Sequence, residues 1–198
     1  MQSVKQAHPL YHCRPVSGFG ARAPRLLVVG LAPGLHGANA TGRPFTGDFA
    51  GKLLYETLHK FGFASQPVST DRHDNLHLSG CRITNAVKCL PPENKPSGSE
   101  VRTCNPYLKT EIAAVGAPGV VLTLGRIAHE AVLLAGDRRR ADFPFGHGAW
   151  HQLSDDLFLC NSYHTSKYNI YTKRLTTSMF ENIIAAIQEH LVMGHGRI

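Results

Sequence analysis

The chain has no long apolar run. None of its segments approaches the stretch of about eighteen apolar residues that crosses a bilayer. Its first residues, MQSVKQAHPLYHCRPVSGFG, also lack the apolar core of a signal peptide. We therefore expect a cytoplasmic protein whose thiols stay reduced, so that its five cysteines are free, metal-bound or redox-active.

Phosphate-binding motifs are also absent. No GxGxxG follows the first apolar run, which argues against a dinucleotide-binding site. The P-loop pattern fails as well, because Leu53 stands after GDFAGK where a hydroxyl side chain is required. The sequence contains no internal repeat and no coiled coil. These absences weaken, without removing, the interpretation of the chain as a nucleotide hydrolase.

Acidic residues are few. Fourteen Asp and Glu against 21 Lys and Arg give a formal charge of +7, which favours a polyanionic partner such as nucleic acid but is also compatible with simple solubility. A hydrophobic content of 42% is ordinary for a globular protein, and the length fits one domain over residues 1–198.

Four short apolar runs predict β-strands, and they lie at residues 26–30, 81–87, 119–125 and 157–163. Helical patterns follow them, with Asp48, Ser97 or Ser99, and the pair Ser178 and Glu181 as predicted caps. The helix after the second strand is expected at about 100–115. Strand and helix in alternation predict a parallel sheet covered on both faces. Residues predicted to be irregular lie at 1–24, 64–80 and 136–152.

Residues 30–48, GLAPGLHGANATGRPFTGD, form a glycine-rich segment with no helical or strand periodicity. Aromatic and charged side chains lie among its five glycines, which favours a functional loop over a disordered one. The alternative is a tight strand-to-helix connection in which the glycines only relieve crowding.

The carboxyl ends of parallel strands meet at one edge of a sheet, where functional groups gather. The loops after the strands would bring Asn39, Phe45, Asn85 and His164 to that edge. An amide reads the edge of a base, an aromatic ring stacks on it, and a histidine donates to an oxygen that gains charge. Each residue also has a structural alternative: Asn85 as a turn cap, Phe45 in the core, and His164 as a hydrogen-bonded histidine.

The cysteines fall into two groups. Cys81 and Cys160 lie inside apolar strands and are expected to be small buried hydrophobes. Cys89 and Cys104 bracket a proline-rich loop, an arrangement that supplies half of a metal or iron–sulfur site. A complete site needs two more ligands, for which only Cys13 and scattered histidines are available.

Five segments resemble, in order, the motifs of the uracil-DNA glycosylase superfamily, and most closely its family 5, the B-type iron–sulfur enzymes of bacteria and archaea. They are GLAPGLHGANATGRPFTGD, ITNAVKCLPPENKP with the later RTC, LGRIAHEAV, FGHGA and SYHTSKYNIYTKRLT. The resemblance covers the chain from about Tyr11 onward. It implies a three-layer α/β/α sandwich with a central four-stranded parallel sheet. It also implies hydrolysis of the N-glycosidic bond of uracil, and of hypoxanthine and xanthine, after base flipping in double- or single-stranded DNA.

The resemblance also implies roles for individual residues. Ala32 and Gly34 would line the base, Phe45 would stack on it, and Asn85 would read its edge. A second group acts on bond breaking and on the duplex. Asn39 would position the water in a family that lacks the acidic base of its relatives, and His164 would stabilise charge on the base carbonyl. The loop that opens the duplex comprises Thr165, Ser166, Lys167, Tyr168 and Asn169.

The resemblance implies a 4Fe–4S cluster with Cys89 and Cys104 as two of its four ligands. The other two come from a closely spaced pair of cysteines upstream of the position where this chain begins, and Cys13 does not match a ligand. Either the start is truncated relative to the family, or the cluster is lost or differently ligated.

Three further positions depart from the family pattern. Thr165 replaces the proline of a His-Pro-Ser motif, which we expect to loosen the duplex-opening loop. Ala40 stands where arginine is common, and Lys173 where glycine is common. We expect these two to alter DNA contacts rather than the chemistry.

The leading interpretation is a monofunctional DNA repair glycosylase, a monomer that works at the nucleoid on DNA with deaminated bases. The alternative is a DNA-binding homologue of the same fold whose catalysis is impaired.

Overall fold

The computed structural model describes residues 2–193. Its centre is one mixed sheet of six strands, in the order β1-β3-β2-β4-β6-β5. The strands are β1 (Phe19–Gly20), β2 (Leu26–Gly30), β3 (Cys81–Asn85), β4 (Gly119–Leu124), β5 (Trp150–Ser154) and β6 (Leu157–Ser162). The four inner strands are parallel and coincide with the four predicted runs.

Two edge strands correct the predicted four-stranded sheet. β1 pairs antiparallel with β3, and β5 pairs antiparallel with β6. β1 is only two residues long, and β5 is half-buried to exposed, so neither has the apolar run that identifies a buried strand. The segments predicted to be irregular at 1–24 and 136–152 therefore hold these strands, and the first also holds a short helix. Residues 64–80 form a loop, as predicted. Its only pairing is an isolated bridge between Ala64 and Leu78.

Helices cover both faces of the sheet. They are α1 (Gln2–Ala7), α2 (Ala38–Thr41), α3 (Phe49–Lys60), α4 (Gly98–Ala113), α5 (Arg126–Ala135), α6 (Lys167–Tyr171) and α7 (Thr177–Met193). Short 3₁₀ turns lie at Pro92–Asn94 and Arg140–Asp142. Helices α3 and α7 pack against each other on one side, and α4 and α5 on the other. The molecule is therefore an α/β/α sandwich.

Alternation along β2 divides the core. Leu26 and Val28 belong to the apolar cluster beneath α3 and α7, whereas Leu27 and Val29 belong to the cluster beneath α4 and α5. All four side chains are buried, because successive residues of a strand point to opposite faces and both faces are covered. Burial of a side chain of this size stabilises a fold by about 1.5–3 kcal/mol.

The helix caps are only partly as predicted. Ser97 caps α4 in a complete capping box with Glu100, so the prediction there is confirmed. The predicted box of Ser178 and Glu181 is wrong, because α7 begins at Thr177, two residues earlier than that box requires, and the Thr176 hydroxyl accepts from the Met179 N–H at 3.2 Å. Asp48 occupies the N-cap position of α3, but its side chain does not cap the helix.

Across residues 2–193, no helix combines the length and the apolar character needed to cross a membrane.

Candidate active site

A cavity of about 670 Å³ opens at the carboxyl edge of the sheet. Gly30 ends β2 directly beside Asn85, the last residue of β3, and His164 follows β6 by two residues. The loop after β2 supplies most of the opposite wall. Parallel pairing thus brings together residues that are far apart in the sequence, as the edge rule predicted.

The Asn85 amide faces the cavity without a protein partner. Its side chain is only 3% exposed and lines the cavity. It makes no hydrogen bond to any residue in the described part of the chain, and it does not cap a turn. A buried amide left free by the protein offers both a donor and an acceptor to whatever enters.

The His164 imidazole lies across the same cavity. Burial lowers its pKa to about 4, so the ring is neutral at physiological pH. Within residues 2–193 the imidazole makes no hydrogen bond. The alternative of a histidine that is hydrogen-bonded inside the protein is therefore wrong. The backbone carbonyl of His164 accepts from the Asn169 side-chain amide at 2.8 Å, which fixes the start of the following loop.

The Phe45 ring forms the cavity wall between these two polar groups. It lies nearly parallel to the His164 ring, with centroids 6.2 Å apart and an interplanar angle of 28°. Its backbone has a φ of 58°, a left-handed conformation that is uncommon for an aromatic residue. A Cβ on Gly30 would collide with both the Phe45 ring and the Asn85 amide oxygen, so glycine is required there for their close approach. Phe45 belongs to the core cluster and also lines the cavity, so its expected place in the core is confirmed and its stacking on a base stays a prediction.

Ala32 and Gly34 line the cavity as expected, but the structure does not bring Asn39 to its wall. Asn39 lies behind the loop, 1% exposed, with its amide nitrogen 3.5 Å from the Leu35 carbonyl and 3.6 Å from the Cys13 sulfur. Its side-chain oxygen is buried with no hydrogen-bond partner in the described chain.

A carboxylate that the sequence reasoning missed lines the cavity. Burial raises the pKa of Asp48, although the Ala38 N–H, which donates to its Oδ2 at 3.2 Å, and nearby His36 oppose that rise. A Cβ on Gly37 would overlap this carboxyl group, so the loop glycine makes room for it. A carboxylate thus lines a cavity for which the resemblance implied no acidic base. Asp48 was assigned only as a helix cap, and its place at the end of the glycine-rich loop was the available signal.

The start of the duplex-opening loop is buried rather than exposed. Thr165 is fully buried, and its hydroxyl donates to the Ala50 carbonyl at 2.9 Å. The expected surface contact of Thr165 with DNA is thus wrong. This bond ties the loop to the first turn of α3, and the expected loosening of the loop stays a prediction.

The remaining residues of that loop are the N-cap and the first turn of α6. Ser166 caps α6 and, like Lys167, lines the cavity, while Tyr168 projects with 71% of its surface exposed. Lys173 has a left-handed φ of 54°, which explains why glycine suits that position.

The cysteines separate as predicted. Cys81 and Cys160 are fully buried, and burial raises the pKa of the Cys160 thiol to about 12. Cys89 and Cys104 are partly exposed, and burial, with Cys104 nearby, raises the pKa of the Cys89 thiol. The Lys88 N–H donates to the Cys104 sulfur at 3.4 Å.

An iron–sulfur cluster is usually held by four thiolates. Residues 2–193 contain no group of three or more His, Cys, Asp or Glu side chains arranged to hold a metal. The described residues therefore do not fit a cluster by themselves.

Comparison with known proteins agrees with this architecture. The family model described as the Uracil DNA glycosylase superfamily matches residues 17–188, and the chain belongs to this superfamily. Within it, the chain is similar to type-5 uracil-DNA glycosylases. It is 45% identical over 174 residues to that of Thermus thermophilus, 43% identical over 175 residues to that of Mycobacterium bovis, and 38% identical over 174 residues to that of Pyrobaculum aerophilum. These matches cover 88, 87 and 88% of this chain and 79, 65 and 75% of the respective relatives.

Proposed function

We propose that this protein removes uracil from DNA by hydrolysing the bond between the base and deoxyribose. Family membership makes the chain a uracil-DNA glycosylase, a hydrolase of N-glycosidic bonds. One observation carries the assignment to this cavity: the Asn85 amide and the His164 imidazole face the same space, beside the Phe45 ring, and neither has a hydrogen-bond partner among residues 2–193. A base inside a duplex is out of reach, so the enzyme flips it, at a cost of about a few kcal/mol.

Asn85 selects the base. Its amide nitrogen donates to the uracil carbonyl and its oxygen accepts from the adjacent ring N–H. Cytosine reverses that pattern, so an amide held in the orientation that suits uracil meets cytosine donor to donor and acceptor to acceptor. Hypoxanthine and xanthine carry the same carbonyl and N–H edge as uracil. The cavity of about 670 Å³ has room for them, which supports activity on deaminated purines as well.

His164 stabilises the departing base. The lowered pKa keeps the ring neutral, so it donates one N–H to the base oxygen on which negative charge develops. The hydrogen bond from this buried N–H strengthens as the negative charge on the base oxygen grows. The imidazole neither gains nor loses a proton in the process.

Asp48 faces the water that replaces the base. Its raised pKa suits a carboxylate that accepts a proton from the attacking water, whose oxygen then bonds to the sugar carbon. Asn39 supports the loop from behind. Its buried, unpartnered oxygen suits a hydrogen bond from a water held within the loop.

Ser166, Lys167, Tyr168 and Asn169 face the duplex and hold it open, while Thr165 anchors them. Tyr168 is exposed beside the cavity, where a ring stacks on bases left without a neighbour. In a cluster of the kind that the family resemblance implies, Cys89 and Cys104 would supply two of the four thiolates, and none of the steps above is routed through one.

The test uses duplexes that contain one uracil, hypoxanthine, xanthine or cytosine, followed by alkaline scission at abasic sites. We expect product from the first three and none from cytosine. His164→Ala should lower the single-turnover rate about 10²–10³-fold while duplex binding stays near normal, because it removes one donor to the leaving group. Asp48→Asn should lower the rate about 10²–10⁴-fold.

His59→Ala, on the exposed carboxyl end of α3, is the matched control and should behave as wild type. Duplex binding without excision of any base would favour the impaired DNA-binding homologue. Equal losses of binding and rate in His164→Ala would contradict the role of this residue.

A further inference from the structure

A buried ionic cluster lies behind the end of β3, on the face opposite to the Asn85 amide. Its centre is the Glu111 carboxylate of α4. The Lys88 ammonium is 2.6 Å from Glu111 Oε2, and the Thr84 hydroxyl donates to the same carboxylate, 2.9 and 3.0 Å from its two oxygens. Thr84 is fully buried, and the Lys88 and Glu111 side chains are only 8% and 14% exposed. None of the steps proposed for the reaction uses this cluster.

The cluster closes a short segment of chain around Asn85. The Lys88 ammonium also donates to the Thr84 hydroxyl at 2.5 Å, four residues back along the chain. Between these two residues, two successive backbone N–H groups donate to carbonyls at the end of β2 and directly after it, at 2.9 and 3.0 Å. Asn85 therefore lies in a segment that is fixed at both ends by side chains and along its length by backbone hydrogen bonds.

The Glu111 carboxylate is itself confined on its outer side. Arg82 Nε lies 3.8 Å from Glu111 Oε1, and the Arg82 guanidinium also donates to the Gly20 and Ala21 carbonyls at 3.4 and 3.3 Å. A Cβ on Gly18 would lie 2.6 Å from Glu111 Oε1, so the backbone before β1 passes directly over the carboxylate. The carboxylate has little room to move, which makes it a fixed point for Thr84 and Lys88.

The Asn85 amide depends on such a fixed point. Its side chain has no hydrogen-bond partner among residues 2–193, so the backbone of residues 84–88 determines where the amide points. Reading uracil requires the amide donor and acceptor to meet the base edge together. A displacement of about 1 Å in such a group lowers a rate by about 10²-fold.

We propose that Glu111 is a positioning residue for base reading, which acts through Thr84 and Lys88 on the Asn85 amide. The inference rests on the proposed function, because it requires that Asn85 reads the uracil edge. Glu111 does not touch the base. It holds the Thr84 hydroxyl and the Lys88 ammonium together, and the closed segment then presents the amide to the cavity at one angle.

The first experiment is a double-mutant cycle on single-turnover excision. The duplex carries 5-fluorouracil, which has the same edge as uracil and leaves more readily, so slow variants stay measurable. Glu111→Gln should lower the rate about 10–10²-fold per folded molecule, while duplex binding stays near that of wild type. In an Asn85→Ala background the same substitution should lower the rate no further. Equal losses in both backgrounds, or an unchanged rate in Glu111→Gln alone, overturn the proposal.

The second experiment separates positioning from stability. Thr84→Val keeps nearly the shape of the side chain but removes the hydroxyl, and should lose rate as Glu111→Gln does, whereas Thr84→Ser should stay near wild type. Lys88→Met/Glu111→Leu should resist urea better than Glu111→Leu, because no unpaired charge remains. Its rate per folded molecule should nevertheless stay low, because the segment is no longer closed. A rate that returns together with stability overturns the proposal.

The side-chain amide signals of Asn85 in a ¹⁵N NMR spectrum give a readout that needs no activity. They are assigned by their loss in Asn85→Ala, and should shift or broaden in Glu111→Gln and Thr84→Val. Unchanged signals in Glu111→Gln overturn the proposal. Glu130→Gln is the matched control, because it removes the same charge from a 3.0 Å ion pair with Arg140 on the neighbouring helix α5. It should leave the rate and the Asn85 signals unchanged.

The two proposals fail in different ways. Excision by Asn85→Ala at the wild-type rate refutes the base-reading role of Asn85 in the proposed function, and the positioning role with it. A slow Asn85→Ala in which Glu111→Gln causes its full loss again refutes only the positioning role of Glu111.

Discussion

Asp74→Ala should destabilise the fold and disturb the base cavity, although Asp74 lies in the polar loop at 64–80. Its carboxylate is 2.7 Å from the Arg43 guanidinium, and the two side chains are only 7% and 5% exposed. Arg43 also donates to the Ser69 hydroxyl at 3.0 Å and lies 4.3 Å from the centre of the Phe19 ring. Phe45 lies two residues after Arg43. The Arg43–Asp74 pair therefore anchors the loop that provides the cavity wall.

The expected cost follows from this burial. Removal of one partner of a buried ion pair leaves the other charge without compensation, which costs about 3–5 kcal/mol. Asp74 also accepts from the backbone N–H groups of Thr70 and Leu76, at 2.8 and 3.0 Å, so alanine loses these bonds too. A domain is stable by about 5–15 kcal/mol, so the loss is a large share of the total.

The pH dependence has a definite sign. Burial alone would raise the pKa of Asp74, but hydrogen bonds from Arg43 and from the Leu76 and Thr70 N–H groups outweigh it and lower the pKa. The carboxylate therefore stabilises the fold fully above its unfolded pKa of about 3.9. This contribution is lost as the pH falls through the lower folded pKa.

Urea unfolding of wild type, Asp74→Ala and Arg43→Met/Asp74→Leu measures the cost, with single-turnover excision on the folded fraction as a second readout. The double variant should be more stable than Asp74→Ala, because no unpaired charge remains. Excision by Asp74→Ala should fall more than its unfolded fraction explains. Lys109→Ala breaks the exposed pair with Asp137 and should cost only about 0–1 kcal/mol. A loss of similar size in Asp74→Ala would refute the reasoning.

Three further outcomes are expected. Gly30→Ala should abolish excision while duplex binding persists, because its Cβ collides with the Phe45 ring. Excision by Gly30→Ala at the wild-type rate would contradict that collision. His164→Gln should flatten the fall in stability that wild type shows as the pH drops from about 6.5 toward 4, because only the unfolded histidine takes up a proton in that range; parallel pH profiles would disprove it. Native-state thiol titration should modify Cys89 and Cys104, and an absorption spectrum of this chain should lack the broad visible band of an iron–sulfur cluster. Protected thiols with a visible band would show the opposite.

Much of the fold could be predicted from the sequence, because the inner strands are apolar on both faces. Strands β1 and β5 were not predicted, because the side chains of edge strands are less buried and leave no apolar run. Two residues such as Phe19 and Gly20 are also too few to show a periodicity. The cap of α7 was misplaced by two residues because both Thr176 and Ser178 are good capping residues. The structure selects Thr176, whose hydroxyl accepts from the Met179 N–H.

The site was predictable where strand ends determine position. Asn85 and His164 lie at the predicted edge, since parallel pairing places them there whatever the loops do. Asn39 and Asp48 lie within the glycine-rich loop, where the path of the backbone determines which side chain reaches the cavity. That path depends on left-handed residues and on close approaches that no periodicity reveals.

The bond between Thr46 and Ser69, 2.6 Å long, accompanies the Arg43 and Asp74 pair and joins the same two loops. The loop at 64–80 therefore depends structurally on the glycine-rich loop, although it lies outside the cavity. A chimera that exchanges one of these loops between homologues should fold and keep activity only if the side chains that contact the loop are exchanged as well. Surface position alone does not make this segment free to vary.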